Sequence, residues 1–171
     1  GARTLPLHWD LQAGGRATTV ELRLRFERPT RPPGSAQEPW AVVVPRLGNA
    51  WTMDINGHAL ASGGELERAN DAWAARRPVR VMVPDFLLQP DNELRIRIRA
   101  DKGRRAGLAA VWVGPEDDLQ ALWQREEWVR VILPQAVTVL SLLVAGLCAL
   151  LWLQQRDPLY AWAALGEAAW G

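Results

Sequence analysis

The sequence predicts an all-β antiparallel sandwich followed by a transmembrane α-helix. Three patterns carry that expectation. Apolar residues recur with period two from residue 4 to residue 113, turn signals separate the runs, and one uncharged stretch near the C-terminus is long enough to cross a bilayer. At 171 residues the chain can hold one ordinary domain with a core, and the 49% apolar content is raised by that last stretch.

The strands follow in order. Leu5, Leu7, Trp9 and Leu11 alternate with Pro6, His8 and Asp10, and Val20, Leu22, Leu24 and Phe26 alternate with Glu21, Arg23, Arg25 and Glu27. Such runs bury one face. Trp40 to Pro45 is apolar throughout, while Trp51, Met53 and Ile55 lead into Asn56-Gly57, a dipeptide suited to the positive φ angles of a type I′ turn, with His58 and Leu60 returning as the partner strand. Val79, Val81 and Val83 form another alternating run, Leu94, Ile96 and Ile98 alternate with Arg95, Arg97 and Arg99, and a last strand is expected near Leu108 to Val113. About seven strands with loops at Pro29 to Gly34 and Ser62-Gly63-Gly64 indicate a sandwich. Its buried face is expected to include Leu22, Leu24, Phe26, Val81, Ile96 and Ile98.

Past Gly114-Pro115, the acids Glu116, Asp117 and Asp118 stand where a helix N-terminus favours negative charge, with Leu119, Leu122 and Trp123 behind them at helical spacing. This predicts a juxtamembrane helix over 116–130. The twenty-five residues from Val131 to Gln155 carry no charge, whereas a bilayer core needs about 20 residues. A core helix of that length would show a polar face, but only Gln135, Thr138 and Ser141 are polar before Gln154. Trp128 at one end, and Trp152 with Tyr160 at the other, sit where amphipathic rings settle at headgroup depth. After Gln154 to Pro158 the chain turns apolar again, so residues 159–171 read as the start of a second transmembrane helix and make a helical hairpin with the first. The expected organisation is therefore an extracytoplasmic β-sandwich over 1–115, the juxtamembrane helix, the span over 131–155 and the second helix.

Charge and composition exclude several functions. Twenty basic and nineteen acidic side chains give a net charge of +1, so no global field draws the protein to nucleic acid. Cys148 is the only cysteine, which rules out an intramolecular disulfide. His8 and His58 lie fifty residues apart and lack the i,i+4 spacing that places two metal ligands on one helix face. Ser62-Gly63-Gly64 lacks the lysine and the helix of a phosphate-binding loop. No catalytic residue, metal or cofactor is expected in this chain. The densest basic group, Arg95, Arg97, Arg99, Lys102, Arg104 and Arg105, reads as a solvated edge that resists strand-to-strand association, with an anionic ligand or lipid headgroups as the alternatives.

Met53 to His58 with its I-N-G hairpin, Val83 to Leu88 with its P-x-x-L-L turn, and Asn92 to Ile96 with N-x-L-x-I together resemble jelly-roll domains of the carbohydrate-binding type. With Val111-Trp112-Val113-Gly114-Pro115, the apolar span and Arg156 to Trp162 after it, the order resembles bacterial seven-transmembrane receptors with diverse intracellular signalling modules. That resemblance implies a periplasmic jelly-roll domain, insertion in the bacterial inner membrane, further helices, and a cytoplasmic histidine kinase or diguanylate cyclase outside these residues. The orientation comes from the resemblance, because Arg125 and Arg130 before the span nearly balance Arg156 after it.

Two functions follow as expectations: a sensing input region of a membrane receptor, with a homodimer among its possible states, or a membrane-anchored carbohydrate-binding or adhesion module with no output. The candidate ligand face combines flat rings with polar groups: Trp51 and Trp73 with Asp54, His58, Asn70 and Asp71, suited to a small molecule such as a carbohydrate. Trp40 and Trp51 read first as core residues, and each histidine first as a solvated strand or turn residue.

Overall fold

The computed structural model of the chain describes residues 7–8, 18–29, 38–48, 50–68, 77–100 and 107–170. The chain divides into two compact units, Gly1–Glu126 and Glu127–Gly171.

The first unit is built on antiparallel sheets. Strands β2 (Thr18–Glu27), β4 (Ala50–Ile55), β5 (His58–Gly63) and β7 (Asp91–Ala100) form a four-stranded sheet in the order β2-β7-β4-β5. Strands β3 (Trp40–Val44), β6 (Val79–Val83) and β9 (Trp112–Pro115) form a three-stranded sheet in the order β6-β3-β9, and β1 (Leu7–His8) pairs with β8 (Gly107–Leu108). Val42 and Val44 from one sheet, with Met53, Ile55, Leu94, Ile96 and Ile98 from the other, share one buried cluster, so the core lies between the two layers.

Strand alternation places the expected residues on the inner face. Ile96, Ile98 and Val81 are buried; Leu22, Leu24 and Phe26 are half-buried against the same cluster, because among the described residues β2 has a neighbour on one side only. Strand β3 is buried along its whole length, on two faces with different partners. Val42 and Val44 face the core, while Ala41 and Val43 lie under Leu119, Leu122 and Trp123 of helix α1 (Glu116–Glu127). A continuous apolar strand is what a layer covered on both sides requires.

Two expectations are corrected. The single strand near Leu108 to Val113 is two strands in different sheets: Leu108 pairs with Leu7, the chain then breaks at Ala109, whose N–H bonds to the Arg46 carbonyl, and Val113 pairs with Val42. The arginines of β7 do not lie on an edge, since β7 runs between β2 and β4.

The second unit is helical. A π-turn (Trp128–Ile132) precedes α2 (Leu133–Gln155), and the Leu133 N–H bonds to the Trp128 carbonyl five residues back. Pro134 supplies the cause: it has no N–H for the carbonyl four residues earlier, so the helical register widens just before it. Helix α2 ends at Arg156, which adopts the left-handed conformation (φ 57°). Asp157 then accepts a hydrogen bond from the Leu159 N–H at 2.9 Å and Pro158 occupies the first turn of α3 (Pro158–Trp170). The two helices pack together, with Ser141 and Ala145 of α2 buried and Cys148 half-buried. On α3 the half-buried positions are Tyr160, Ala161, Ala164 and Glu167. Small residues at that contact let the backbones approach. Most leucines and valines of α2 are exposed, Leu143 at 66%, where a soluble core helix would cover them; the run is long and apolar enough to span a membrane.

Candidate ligand-binding surface

The Asn56-Gly57 turn organises one end of the first unit. Ile55 pairs with His58, leaving two residues in the loop, with φ 50° at Asn56 and 85° at Gly57. These are the angles of a type I′ turn, which asparagine and glycine adopt at least cost. The Asn56 amide does more than tolerate the turn. Its Nδ2 donates to the Leu87 carbonyl (2.8 Å) and to Asn92 Oδ1 (2.9 Å), and its Oδ1 accepts from the Glu93 N–H (2.9 Å). Asn92, buried at 3% exposure, also accepts from the Gln89 N–H (2.9 Å) and donates to the Gln89 carbonyl (2.6 Å). The three segments of the I-N-G, P-x-x-L-L and N-x-L-x-I pattern are thus tied into one hydrogen-bonded knot, in which each buried amide is satisfied.

Beside the knot lies an open groove of about 710 Å³, lined by Arg25, Phe26, Glu27, Asn56, Asp91, Asn92 and Glu93. Glu27 and Asp91 stand directly opposite each other on β2 and β7, and Arg25 stands opposite Glu93, 3.5 Å away. Phe26 is the one apolar residue in that lining; its ring stacks on Trp40 with centroids 6.2 Å apart, and the Arg28 guanidinium, ion-paired with Asp85, lies 5.8 Å from the Trp40 ring.

The outward face of the four-stranded sheet is a second surface. Glu21 accepts from Arg23 (2.8 Å) and lies 3.7 Å from Arg95. Arg95 also lies 3.6 Å from Glu93, Arg97 is 3.7 Å from Asp54 and donates to Thr52 Oγ1 (3.1 Å), and Arg99 donates to the Leu66 carbonyl (2.8 Å). The hydrogen bond from Arg23, with the charges of Arg23, Arg95 and Arg97, holds the Glu21 carboxyl below the usual range, and the same hydrogen bond to Glu21 raises the Arg23 guanidinium.

Of the residues proposed for a ligand face, Trp51, Asp54 and His58 are among those described, and Trp51 and Asp54 lie on opposite faces of one strand. Trp51 is 6% exposed and belongs to the core, its indole Nε1 without a hydrogen-bond acceptor among the described residues, and it packs where a side chain on Gly63 would stand, 2.6 Å from Nε1. Asp54 points to the opposite face of β4, toward Arg97, because residues three apart on a strand alternate sides. His58 is exposed at the start of β5. Asn70, Asp71 and Trp73 lie outside the described residues. The groove residues Arg25, Glu27, Asp91 and Glu93 were not singled out for a ligand; the sequence signal that leads to them is the I-N-G turn followed by N-x-L-x-I. Among the described residues no group of His, Cys, Asp or Glu could hold a metal ion.

No family model matches the chain, and no curated protein matches it either. Among solved structures it is similar to an FMN-binding beta-glucuronidase from Facaelibacterium prausnitzii L2-6, with a TM-score of 0.47 and 23% identity over 65% of this chain. The chain spans 18% of the length of that protein, and a likeness at this level transfers neither fold nor activity.

Proposed function

We propose that this chain is the input region of a bacterial transmembrane signalling receptor, with the β unit outside the cytoplasm sensing a ligand or partner. The output, a histidine kinase or diguanylate cyclase, belongs to residues beyond these 171. One observation carries the reading: the helical run that begins at Glu116, on the outer face of β3, continues unbroken to Gln155 and includes the exposed apolar helix. A sensor needs a covalent path of this kind, and a ligand shifts the receptor only by its differential affinity for two states. We also propose a jelly-roll route for the two sheets. Its support is the path of the chain, which leaves one sheet for the other from β2 to β3, β3 to β4, β5 to β6 and β6 to β7.

The full-length protein in its native membrane is the test. A reporter active only outside the cytoplasm, fused ahead of residue 1 behind an export signal, is expected to be active, and so is a cytoplasm-requiring reporter fused after Arg156. The opposite pair overturns the orientation. With the orientation correct, membranes holding the full-length protein are expected to show autophosphorylation or cyclic dinucleotide synthesis; a protein with neither activity would be an anchored binding module, not a receptor.

A further inference from the structure

We propose that a second copy of this chain pairs with the first along β2, antiparallel and centred on Leu22, so that two four-stranded sheets join into one. The inference goes beyond the receptor reading and holds whichever side of the membrane the β unit occupies.

The edge itself invites a strand. Among the described residues β2 has a partner on one side only, and it pairs with β7 without a register shift from Thr18 opposite Ala100 to Glu27 opposite Asp91. It contains no proline or glycine, and its charged residues all point outward. A long, regular edge of this kind presents a row of backbone N–H and C=O groups to any further strand. The opposite edge is blunted, because β5 is six residues long and its register with β4 shifts between Met53 and Asp54. The inward side chains of β2 are also incompletely covered. Leu22 and Leu24 are half-buried, whereas Ile96 and Leu94, which stand opposite them on β7, are fully buried. A strand added beyond β2 would cover the open flank of that apolar row.

The residues of β2 select the occupant and its register. Two copies joined with their inner faces on the same side must run antiparallel about a two-fold axis, and alternation pairs inward residues only with inward ones. Four such registers overlap most of the strand, centred on Glu21, Leu22, Arg23 or Leu24. Centring on Arg23 lines up Arg95 and Arg23 with the same two arginines of the second copy in one cross-strand row. Centring on Leu24 brings Glu21 against the second copy's Glu27, itself opposite Asp91, and Arg23 against the second copy's Arg25. Centring on Glu21 sets that carboxylate against its own counterpart. Like charges directly opposed destabilise each of these three.

Centring on Leu22 avoids them. Glu21 then faces the second copy's Arg23, Arg23 faces the second copy's Glu21, and Arg25 faces Thr19. Arg23 is the more exposed member of its own ion pair, 58% against 35% for Glu21, so its guanidinium stands above the carboxylate and can reach across the edge. A second carboxylate there also relieves the opposition of Arg23 and Arg95 within each copy. The inner rows are apolar: Leu22 meets its own counterpart between two Ile96 residues, and Leu24 meets Val20. A strand with acids and bases in balance is thus complementary to itself. An apolar helix that holds both copies in one bilayer raises the effective concentration at which so small a contact must form.

The test uses the purified 171-residue chain reconstituted in lipid vesicles, in a C148A background so that an introduced thiol is the only one. Residues directly opposite across a strand pair have Cβ atoms about 5 Å apart, close enough for a disulfide after a small shift. L22C, on the two-fold axis, is expected to cross-link two copies on mild oxidation. L24C, about 14 Å from its counterpart in this register, is not. Adding E21R or R23E to L22C is expected to lower the cross-linked fraction about fivefold, because each reversal sets like charges across the axis twice. Reconstituting the E21R and R23E chains together is expected to restore it, since two guanidiniums on one copy then face two carboxylates on the other; damage to the fold would not be repaired by mixing. Absence of the L22C cross-link, cross-linking of L24C or R23C in its place, charge reversals without effect, or a mixture no better than its parents would each overturn the proposal. Inverted topology reporters alongside an intact L22C cross-link would defeat the receptor reading and leave the paired edge standing.

Discussion

The two sheets of the β unit draw on similar apolar residues for their inner faces and finish their outer faces in opposite ways. The four-stranded sheet meets solvent with arginine, glutamate and aspartate, and its strand β2 alternates half-buried and exposed over ten residues. In the three-stranded sheet the central strand β3 is buried along all five residues, and α1 covers the face that does not meet the core. The difference shows what a hydrophobic period reports. Period two marks one buried face; an unbroken apolar strand demands a further layer, which this chain supplies from residues nearly eighty positions later. Arg80 of β6 helps hold that layer in place, pairing with Glu116 at 3.2 Å and lying 4.5 Å from the Trp123 ring.

Substitution on the two outer faces breaks the comparison most sharply. Val43→Asp puts an unpaired carboxylate beneath α1, and a loss of about 3 kcal/mol or more is expected in denaturant unfolding of the chain in mild detergent. Arg25→Thr on the outer face of β2 is expected to stay within about 0.5 kcal/mol. Equal losses would mean that the two faces are not differently covered.

The next effect tests the knot that ties the turn of the four-stranded sheet to the Asp85–Pro90 segment. Asn92→Ala removes two accepted hydrogen bonds and one donated bond from a buried position, leaving the Gln89 N–H and carbonyl without that partner. A loss of about 2 kcal/mol is expected, with Asn92→Asp recovering part of it by keeping the acceptor. Gly57→Val comes after it. A side chain there would enter open space, so the expected loss of roughly 1 kcal/mol comes from the positive φ alone. An unchanged unfolding midpoint would show that the turn relaxes to another conformation.

These positions also show what was legible beforehand. The alternation of β2 and β7, the Asn56-Gly57 turn and the apolar helix were all written as local patterns, and local patterns survive into structure when one face is buried. The cover over Val43 was not legible, because it depends on a contact with Leu119 far along the chain. The stretch from Leu108 to Val113 reads as one strand since nothing in it breaks an extended run; the break comes from tertiary pairing, as the chain leaves β1 for β3. For the candidate site, the sequence did contain a warning. Trp51 and Asp54 are three residues apart on one strand, so alternation alone sends them to opposite faces. The role of Asn56 and Asn92 as a mutual pair could be suspected from their motifs, but it required the two turns to meet.

The smallest expected effect separates the outer faces by pH. On the four-stranded sheet Glu21 accepts from Arg23 and sits near Arg95 and Arg97, and its carboxyl is held below the usual glutamate range of about 4.3. A carboxyl lowered on folding binds its proton more readily in the unfolded chain. Its stabilising contribution is therefore present above the unfolded value and is lost as the pH falls through the folded one. Glu21 is exposed enough for solvent and salt to screen the pairing, so the effect should be slight and should shrink as salt is added. The expected observation is a shallow fall in the unfolding midpoint below about pH 4 at low ionic strength, reduced in Glu21→Gln. Because Arg23 and Arg95 stand opposite each other, the Gln variant should also be slightly less stable at neutral pH, where the carboxylate between the two guanidiniums is missing. A variant whose midpoint matched the parent across the whole range would show that the repulsion between these arginines is absorbed by solvent, and that the carboxylate layer beneath the guanidiniums adds nothing to the stability of that face.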